Sequence, residues 1–135
     1  MAFTHTTTIG YKSDAGTITS TSEVFTGDGE ANYDGVIPGG TTNAEVDLVA
    51  AHANIRSMVL FSNLATTVKV NSSSVPDDTI DLPAGGQVVW NTNHPEACPF
   101  TVDVTKLFIT NPGAAAATVK IRILLDSTPG LTDPG

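Results

Sequence analysis

The residue types best suited to catalysis or metal binding, histidine and cysteine, are few in this sequence and widely spaced. His5, His52 and His94 lie more than forty residues apart, and none has a second ligand at the spacing of a zinc motif. His94 and Cys98 are four residues apart, a spacing open to a nucleophile pair or half a metal site. A proline follows each of these two residues and predicts an irregular loop, whereas catalytic thiol sites draw on residues distant in sequence. We therefore expect both to be ordinary loop residues.

The best candidate for a metal site is an acidic stretch with an oxygen-bearing side chain at every second position, namely Asp28, Glu30, Asn32 and Asp34. This alternation resembles the start of a calcium-binding loop. An EF-hand also needs a glutamate at its twelfth position, which here is Gly39. A strand with one face in solvent has the same alternation, and its carboxylates discourage edge-to-edge pairing. We favour the strand interpretation and expect no bound metal.

Motifs of other catalytic types are missing from the sequence. It contains neither a Gly-x-Ser-x-Gly nucleophile elbow nor a Walker loop for phosphate. Asp77, Asp78 and Asp81 could converge, but Pro76 before the first two gives the composition of a turn. Any two of the fourteen carboxylates could form a glycosidase pair, yet one Trp, two Tyr and five Phe leave few rings for a sugar cleft. We expect a non-enzymatic protein with no catalytic residues and no cofactor.

The charge of the chain limits its partners. Four lysines and two arginines stand against fourteen carboxylates, so the formal net charge is −8 at pH 7. Nucleic acids and anionic membranes are bound through clustered basic residues, and the composition argues against both as partners. A soluble protein with a neutral or basic partner surface is favoured instead.

Cellular location is constrained by what the sequence lacks. Cys98 is the only cysteine, so an intrachain disulfide is excluded. No stretch approaches eighteen consecutive apolar residues, so no transmembrane helix is predicted. The first ten residues contain no basic segment followed by an apolar run. We therefore expect no signal peptide and synthesis in a cytoplasm.

Helical patterns are almost absent from the chain. The best candidate, Ala44–Arg56, begins with apolar and charged residues in alternation, which is a strand pattern. Its alanines remain compatible with a short helical turn over Ala50–Asn54. The run Ala114–Ala117 favours a helix by composition, but it lies between Pro112-Gly113 and a strand. A loop or the start of that strand is expected there.

Strand patterns cover most of the sequence. The clearest is Thr118–Leu125, where the odd positions from Val119 onward are apolar and Lys120 and Arg122 lie between them. Ile55–Phe61 and Val104–Thr110 are apolar on both faces, as central strands of a sandwich are. The other predicted strands are Gly16–Phe25, Glu30–Ile37 with a break at Asp34-Gly35, Thr67–Asn71, and a hairpin of Thr79–Leu82 and Gln87–Trp90 around Pro83–Gly86.

Turn signals such as Gly27-Asp28-Gly29 and Pro38-Gly39-Gly40 recur about every ten residues. Short strands at this spacing predict an all-β protein, an antiparallel β-sandwich of about eight to ten strands with jelly-roll-like or Greek-key connections. The length of 135 residues fits one domain over residues 1–135. Residues 127–135, with two prolines and two glycines, are expected to be a flexible or surface-pinned tail.

The N-terminal segment is the candidate partner-binding element. Residues 1–11 are rich in threonine and have an extended pattern. They could form an arm that adds a strand to a neighbouring protein. Equally, they could be the first edge strand of the sandwich. The residues that such an arm would use are Phe3, Thr4, His5 and Thr6.

The chain also resembles the small β-sandwich virion proteins that tailed bacteriophages encode among their structural genes. The resemblance covers about three-quarters of the chain and lies in composition and order rather than in a diagnostic motif. It is carried by Phe25–Glu30, Pro38–Asn43, Ser74–Leu82, Asn111–Gly113 and Val119–Leu125.

The resemblance implies a capsid decoration, or cement, protein. Such proteins bind the lattice of the major capsid protein on the outer surface of the virion as trimers or monomers, or occasionally lie in the tail, and they have no catalytic residues. For this chain we expect synthesis in the host bacterium and a homo-oligomer, with a trimer favoured. Two alternatives stay open. A carbohydrate- or receptor-binding module of a tail or fibre would be favoured by an exposed aromatic platform near Trp90 or Tyr33. An enzyme, or a β-domain of an unrelated kind, would be favoured by a deep pocket that collects His94, Cys98 and carboxylates.

Overall fold

The fold is described for residues 3–126 by a computed structural model, without the side chains of residues 9–13 and 17–21. The expected tail over residues 127–135 lies outside this part. No helix among the described residues is long and apolar enough to cross a membrane. Strands account for almost all regular structure, and they are β1 (Phe3–Ser13), β2 (Gly16–Gly27), β3 (Gly29–Ile37), β4 (Thr41–Ala50), β5 (Ile55–Ser62), β6 (Thr66–Val70), β7 (Thr79–Leu82), β8 (Gln87–Asn91), β9 (Val104–Asn111) and β10 (Ala117–Leu125).

Eight of these strands form two antiparallel four-stranded sheets. Sheet I has the order β3-β10-β5-β8 and sheet II the order β4-β9-β6-β7. From β3 onward the chain changes sheet at every connection except the one between β6 and β7. Two sheets with this path are a jelly roll. The all-β sandwich predicted from the sequence is therefore confirmed.

The core lies between the two sheets and is built from the alternate residues of each strand. In β10, Val119, Ile121 and Ile123 are fully buried, whereas Lys120 is exposed, as the predicted alternation requires. The interior strands are β10 and β5 in sheet I and β9 and β6 in sheet II. The two segments that are apolar on both faces, β5 and β9, are among them, as expected.

Two other local predictions are confirmed. The charged and apolar alternation after Ala44 belongs to β4, and a single turn of 3-10 helix follows at His52–Asn54. The alanine run contributes a loop, and β10 begins at its last residue, Ala117.

The predicted break in β3 is wrong. The strand continues through Asp34 and Gly35, which pair with Lys120 and Val119 of β10, and the ring of Tyr33 lies over the Gly35 backbone. A Cβ at Gly35 would overlap that ring, so the glycine accommodates the aromatic side chain instead of ending the strand.

The predicted hairpin around Pro83–Gly86 is also wrong. β7 pairs with β6 in sheet II, whereas β8 pairs with β5 in sheet I. The turn itself forms, with Gly85 in the left-handed region at φ 69° and the Gly86 N–H donating to the Pro83 carbonyl. It carries the chain from one sheet to the other, and its residues have the composition of a hairpin turn although the flanking strands do not pair.

The N-terminal segment is neither a single-stranded arm nor an edge of the sandwich. β1 pairs antiparallel with β2 along its whole length, from Phe3 opposite Gly27 to Ser13 opposite Gly16. The resulting hairpin, β1–β2, is a separate two-stranded sheet. It packs against β10 and β5 of sheet I.

Candidate functional site

The hairpin β1–β2 crosses one end of the outer face of sheet I. Register aligns Glu30 of β3, Leu124 of β10 and Ser57 of β5 in a row across that face. Leu124 and Ser57 point away from the core, yet Leu124 is 0% and Ser57 3% exposed. The covering element is the hairpin, since an added Cβ at Gly27 would overlap the Leu125 carbonyl and lie 3.2 Å from Leu124 Cδ1.

A polar contact fastens the hairpin to this row. His5 Nε2 lies 2.7 Å from Glu30 Oε2, and His5 Nδ1 lies 3.4 Å from Ser57 Oγ. A second contact is made farther along β2, where Asn93 Nδ2 donates to Glu23 Oε2 at 2.9 Å. These side-chain contacts join the hairpin to β3 and β5 at one place and to the residues just after β8 at another, in addition to the packing of Gly27 on β10.

Neighbouring groups keep Glu30 ionised. Partial burial raises the pKa of its carboxyl, but hydrogen bonds from Asn32 and His5 and the positive charges of His5 and Arg122 outweigh burial. The pKa of Glu30 therefore lies below its ordinary value of 4.5. An ionised Glu30 is a strong acceptor for the imidazole of His5.

An arginine–aspartate ion pair lies on the same face of sheet I. The guanidinium of Arg122 contacts both carboxylate oxygens of Asp34, at 2.9 and 2.8 Å. These hydrogen bonds hold the pKa of Asp34 below its usual value. The charge of Arg122 is thus neutralised within the sheet.

A groove of about 400 Å³ runs between β1 and the outer face of sheet I. One wall is the consecutive stretch Thr4–Thr8, and the floor includes Arg122, Val59 and Val89. These three floor residues form the next row of the sheet after the row under the hairpin, since Arg122 is opposite Val59 and Val59 opposite Val89. Gln87 closes the groove toward the following row.

The groove also contains three residue types of an acyl-transfer triad, Ser57, His5 and Glu30. In serine hydrolases a substrate carbonyl must reach the serine oxygen. Here Ser57 is almost completely buried beneath the hairpin, and its oxygen is 3.4 Å from the imidazole. This geometry favours a structural role for Ser57, in which it helps to hold β1 against β5, over a role as a nucleophile.

The four residues considered as candidate metal ligands, Asp28, Glu30, Asn32 and Asp34, lie along one strand and the turn before it. Glu30, Asn32 and Asp34 share the outer face of β3, while Asp28 lies in the turn before that strand. The Asn32 amide donates to Glu30, and the other partners of the two carboxylates are His5 and Arg122. No group of three or more His, Cys, Asp or Glu side chains that could hold a metal occurs within residues 3–126.

His94 and Cys98 are not brought into a common site. His94 Nδ1 accepts from the Glu96 backbone N–H, and Cys98 Sγ lies 3.8 Å from Met58 Sδ at the edge of the core. Burial raises the pKa of the Cys98 thiol, which disfavours the reactive thiolate. His52 is exposed in the turn after β4.

Tyr33 and Trp90, the two aromatic residues that could have formed a platform for a sugar, both pack against the core. Tyr33 packs over Gly35 on the core side of β3. Trp90 packs against the core and donates its indole N–H to the Glu96 carbonyl at 2.9 Å. Each of these two side chains is partly buried, so neither is a fully exposed aromatic platform.

The predicted carboxylates at Asp77, Asp78 and Asp81 each have a separate partner. Asp77 accepts from the Asn71 amide, Asp78 from Thr101, and Asp81 from the Thr67 hydroxyl. Their hydrogen bonds fix turns and cross-strand pairs.

Among the candidate partner-binding residues, Phe3 and His5 are partly buried and Thr4 and Thr6 are exposed, in keeping with the two faces of a strand. The sequence analysis missed Ser57, Arg122 and Val89, because only the register of sheet I brings them beside β1. Comparison with protein-family models, curated proteins and solved structures found no match to the chain.

Proposed function

We propose that the chain is a non-enzymatic structural protein of a tailed-bacteriophage virion, a decoration protein that binds the lattice of the major capsid protein on the outer surface of the head. The observation that carries the proposal is the hairpin β1–β2, a two-stranded ribbon attached to the outside of a complete sandwich. Because the core is formed by the other eight strands, the ribbon is available for contacts with a neighbour.

The sequence resemblance supports the same proposal, and so does the charge. A net charge of −8 gives solubility and favours a neutral or basic partner surface over nucleic acid or an anionic membrane. Decoration needs a stable fold and interfaces rather than a reaction centre, and the polar groups of this groove hold one element to another.

A decoration protein acts through the number of its copies. Each copy contributes a modest interface, and many copies that bridge neighbouring subunits raise the barrier to rupture of the shell. The protein is proposed to bind as a homo-oligomer, with a trimer favoured, because a closed ring of copies matches the symmetry of a capsid lattice.

Binding to undecorated heads tests this proposal. Purified protein is mixed with heads assembled from the major capsid protein of the phage that encodes it, and co-sedimentation and the temperature of head rupture are measured. Heads already saturated with the protein are the control. We expect saturable pelleting and a higher rupture temperature. If saturating protein does neither, the cement function is wrong.

The groove favours a second candidate, a carbohydrate- or receptor-binding module of the virion. Threonine hydroxyls, the Gln87 amide and the Arg122 guanidinium line it, and such groups can hydrogen-bond a sugar. Isothermal titration with host surface glycans distinguishes the two functions. Glycan binding that is lost in Gln87→Ala, together with no binding to heads, would favour this candidate.

A further inference from the structure

The wall of the groove is the edge of β1 rather than one of its faces. A strand face presents only every second residue, because successive side chains point to opposite sides. Five consecutive residues, Thr4–Thr8, line the groove. Residues of both faces reach it together only along the edge, where the backbone N–H and C=O groups point.

This edge has no strand partner among the described residues. β1 pairs with β2 on one side, and the backbone hydrogen bonds that join different elements do not involve Phe3–Thr8. In an antiparallel pair, alternate residues direct both backbone groups away from the partner. Two or three residues of Thr4–Thr8 therefore present a donor and an acceptor to the groove.

The floor of the groove lies where an added strand would run. The hairpin covers the row of Glu30, Leu124 and Ser57, and the floor row of Arg122, Val59 and Val89 is two residues farther along each strand. Two residues of extended chain span about 6.7 Å, and a strand added to β1 would lie about 4.8 Å from it. The added strand would consequently lie over the floor row.

The floor suits an extended chain without acidic side chains. Val59 and Val89 are adjacent on β5 and β8 and offer apolar contacts, with Val89 38% exposed. Arg122 is neutralised by Asp34, and the whole chain carries a net charge of −8. An acidic segment would be repelled by this surplus of negative charge, whereas a neutral or basic one would be attracted.

We propose that the groove receives a neutral or basic extended segment of the capsid protein, which pairs with the open edge of β1 as a third strand of the hairpin sheet. This inference rests on the proposed function and names the segment that the decoration protein binds. About five residues of partner would pair with Thr4–Thr8, with every second side chain over the floor valines.

A pair of matched variants tests the groove. Val89→Arg places a long charged side chain on the floor of the groove. Val36→Arg is the control, because it makes the same change on the same outer face of sheet I but two rows beyond the floor. The side chain of Val36 is 62% exposed. Binding to undecorated heads is measured by sedimentation, and folding is checked by the melting temperature. We expect about tenfold weaker binding for Val89→Arg and little change for Val36→Arg. Equal binding by the two folded variants would overturn the inference.

Hydrogen exchange tests strand addition itself. Amides that gain a strand partner exchange more slowly, so peptides that contain Thr4–Thr8 are expected to gain protection on saturated heads, while those from the edge strand β4 are not. Unchanged exchange at Thr4–Thr8 in protein that does bind heads would exclude strand addition but leave decoration standing. Failure of the unaltered protein to bind heads would remove decoration, and the inference with it.

Discussion

At the scale of single residues, the contact between His5 and Glu30 makes attachment of the hairpin sensitive to acid. Because the pKa of Glu30 is lower in the folded state, its ionised form favours folding. That contribution is complete above the ordinary value of 4.5 and is lost as the pH falls through the lower folded value. His5 contributes a donor whose strength depends on the charge of its acceptor.

Glu30→Gln is expected to lower the free energy of unfolding at pH 7 by about 1–2 kcal/mol, the magnitude of a hydrogen bond to a charged group. The difference from the unaltered protein should shrink as the pH falls toward 3. Urea unfolding at both pH values measures it. The exposed Glu96 provides the control, since Glu96→Gln should change stability by less than about 0.5 kcal/mol at either pH. A constant difference for Glu30→Gln would argue against the ion pair.

The acidic residues of β3 yield a prediction about metals. Glu30 contacts His5 and Asp34 contacts Arg122, so a calcium ion would have to displace the His5 hydrogen bond and the Arg122 ion pair to bind there. A bound ion would stabilise the fold by mass action, and its removal would lower the melting temperature. Since we expect no ion to be bound, a chelator should leave the melting temperature unchanged. A fall of several degrees that calcium reverses would restore the metal interpretation of Asp28–Asp34.

At the scale of elements, β10 is the strand on which sheet I depends, since it lies between β3 and β5. Ile121 is 0% exposed, and Ile121→Ala should cost about 2–5 kcal/mol through lost burial and the cavity that remains. Lys120 is exposed on the opposite face, and Lys120→Ala should cost less than about 0.5 kcal/mol. Chemical denaturation measures both losses of stability. Similar values would mean that β10 is buried on both faces or that its buried and exposed faces are exchanged.

The join between β2 and β10 is a second element on which stability depends. Gly27→Ala adds a methyl group that would overlap the Leu125 carbonyl, so the hairpin or the end of β10 must shift. We expect a loss of about 1–3 kcal/mol in denaturant unfolding, as for other overpacked sites. Gly29→Ala is the matched control, because its Cβ would lie 3.8 Å from Leu125 Cβ in ordinary contact. A Gly27→Ala protein as stable as the control would contradict this packing.

Local patterns were sufficient for the strands but not for their pairing. The alternation in β10 is set by adjacent residues, and so the buried face could be assigned from the sequence. Pro83–Gly86 has the composition of a hairpin turn, but whether β7 and β8 pair depends on β6 and β5, which are distant in the chain. Asp34 and Gly35 resemble a strand break in the sequence, but both pair with β10, a strand more than eighty residues away in the chain.

At the scale of the whole molecule, the jelly-roll path explains why the groove was beyond sequence analysis. His5 is 25 residues from Glu30 and 52 from Ser57, and no spacing rule connects them. The fold class could be predicted because many short segments each have a strand pattern and so indicate the same all-β structure. The groove depends instead on the register of three strands and on where the hairpin crosses them, which are non-local properties.

The same non-local path should make folding slow. In sheet I, β3 pairs with β10, and an ion pair between the two strands joins residues that are 88 positions apart in the chain. The chain must lose conformational entropy to bring such distant residues together before their contacts can stabilise the fold. For this reason β-sandwiches fold in about milliseconds to seconds. Trp90, which packs against the core, is a natural fluorescent probe of this folding step.

We expect the Trp90 fluorescence to recover within milliseconds to seconds in stopped-flow refolding from urea, whereas an isolated hairpin forms in about 1–10 μs. Complete recovery of the Trp90 signal in microseconds would mean that the core assembles from local contacts, in conflict with the strand order of both sheets.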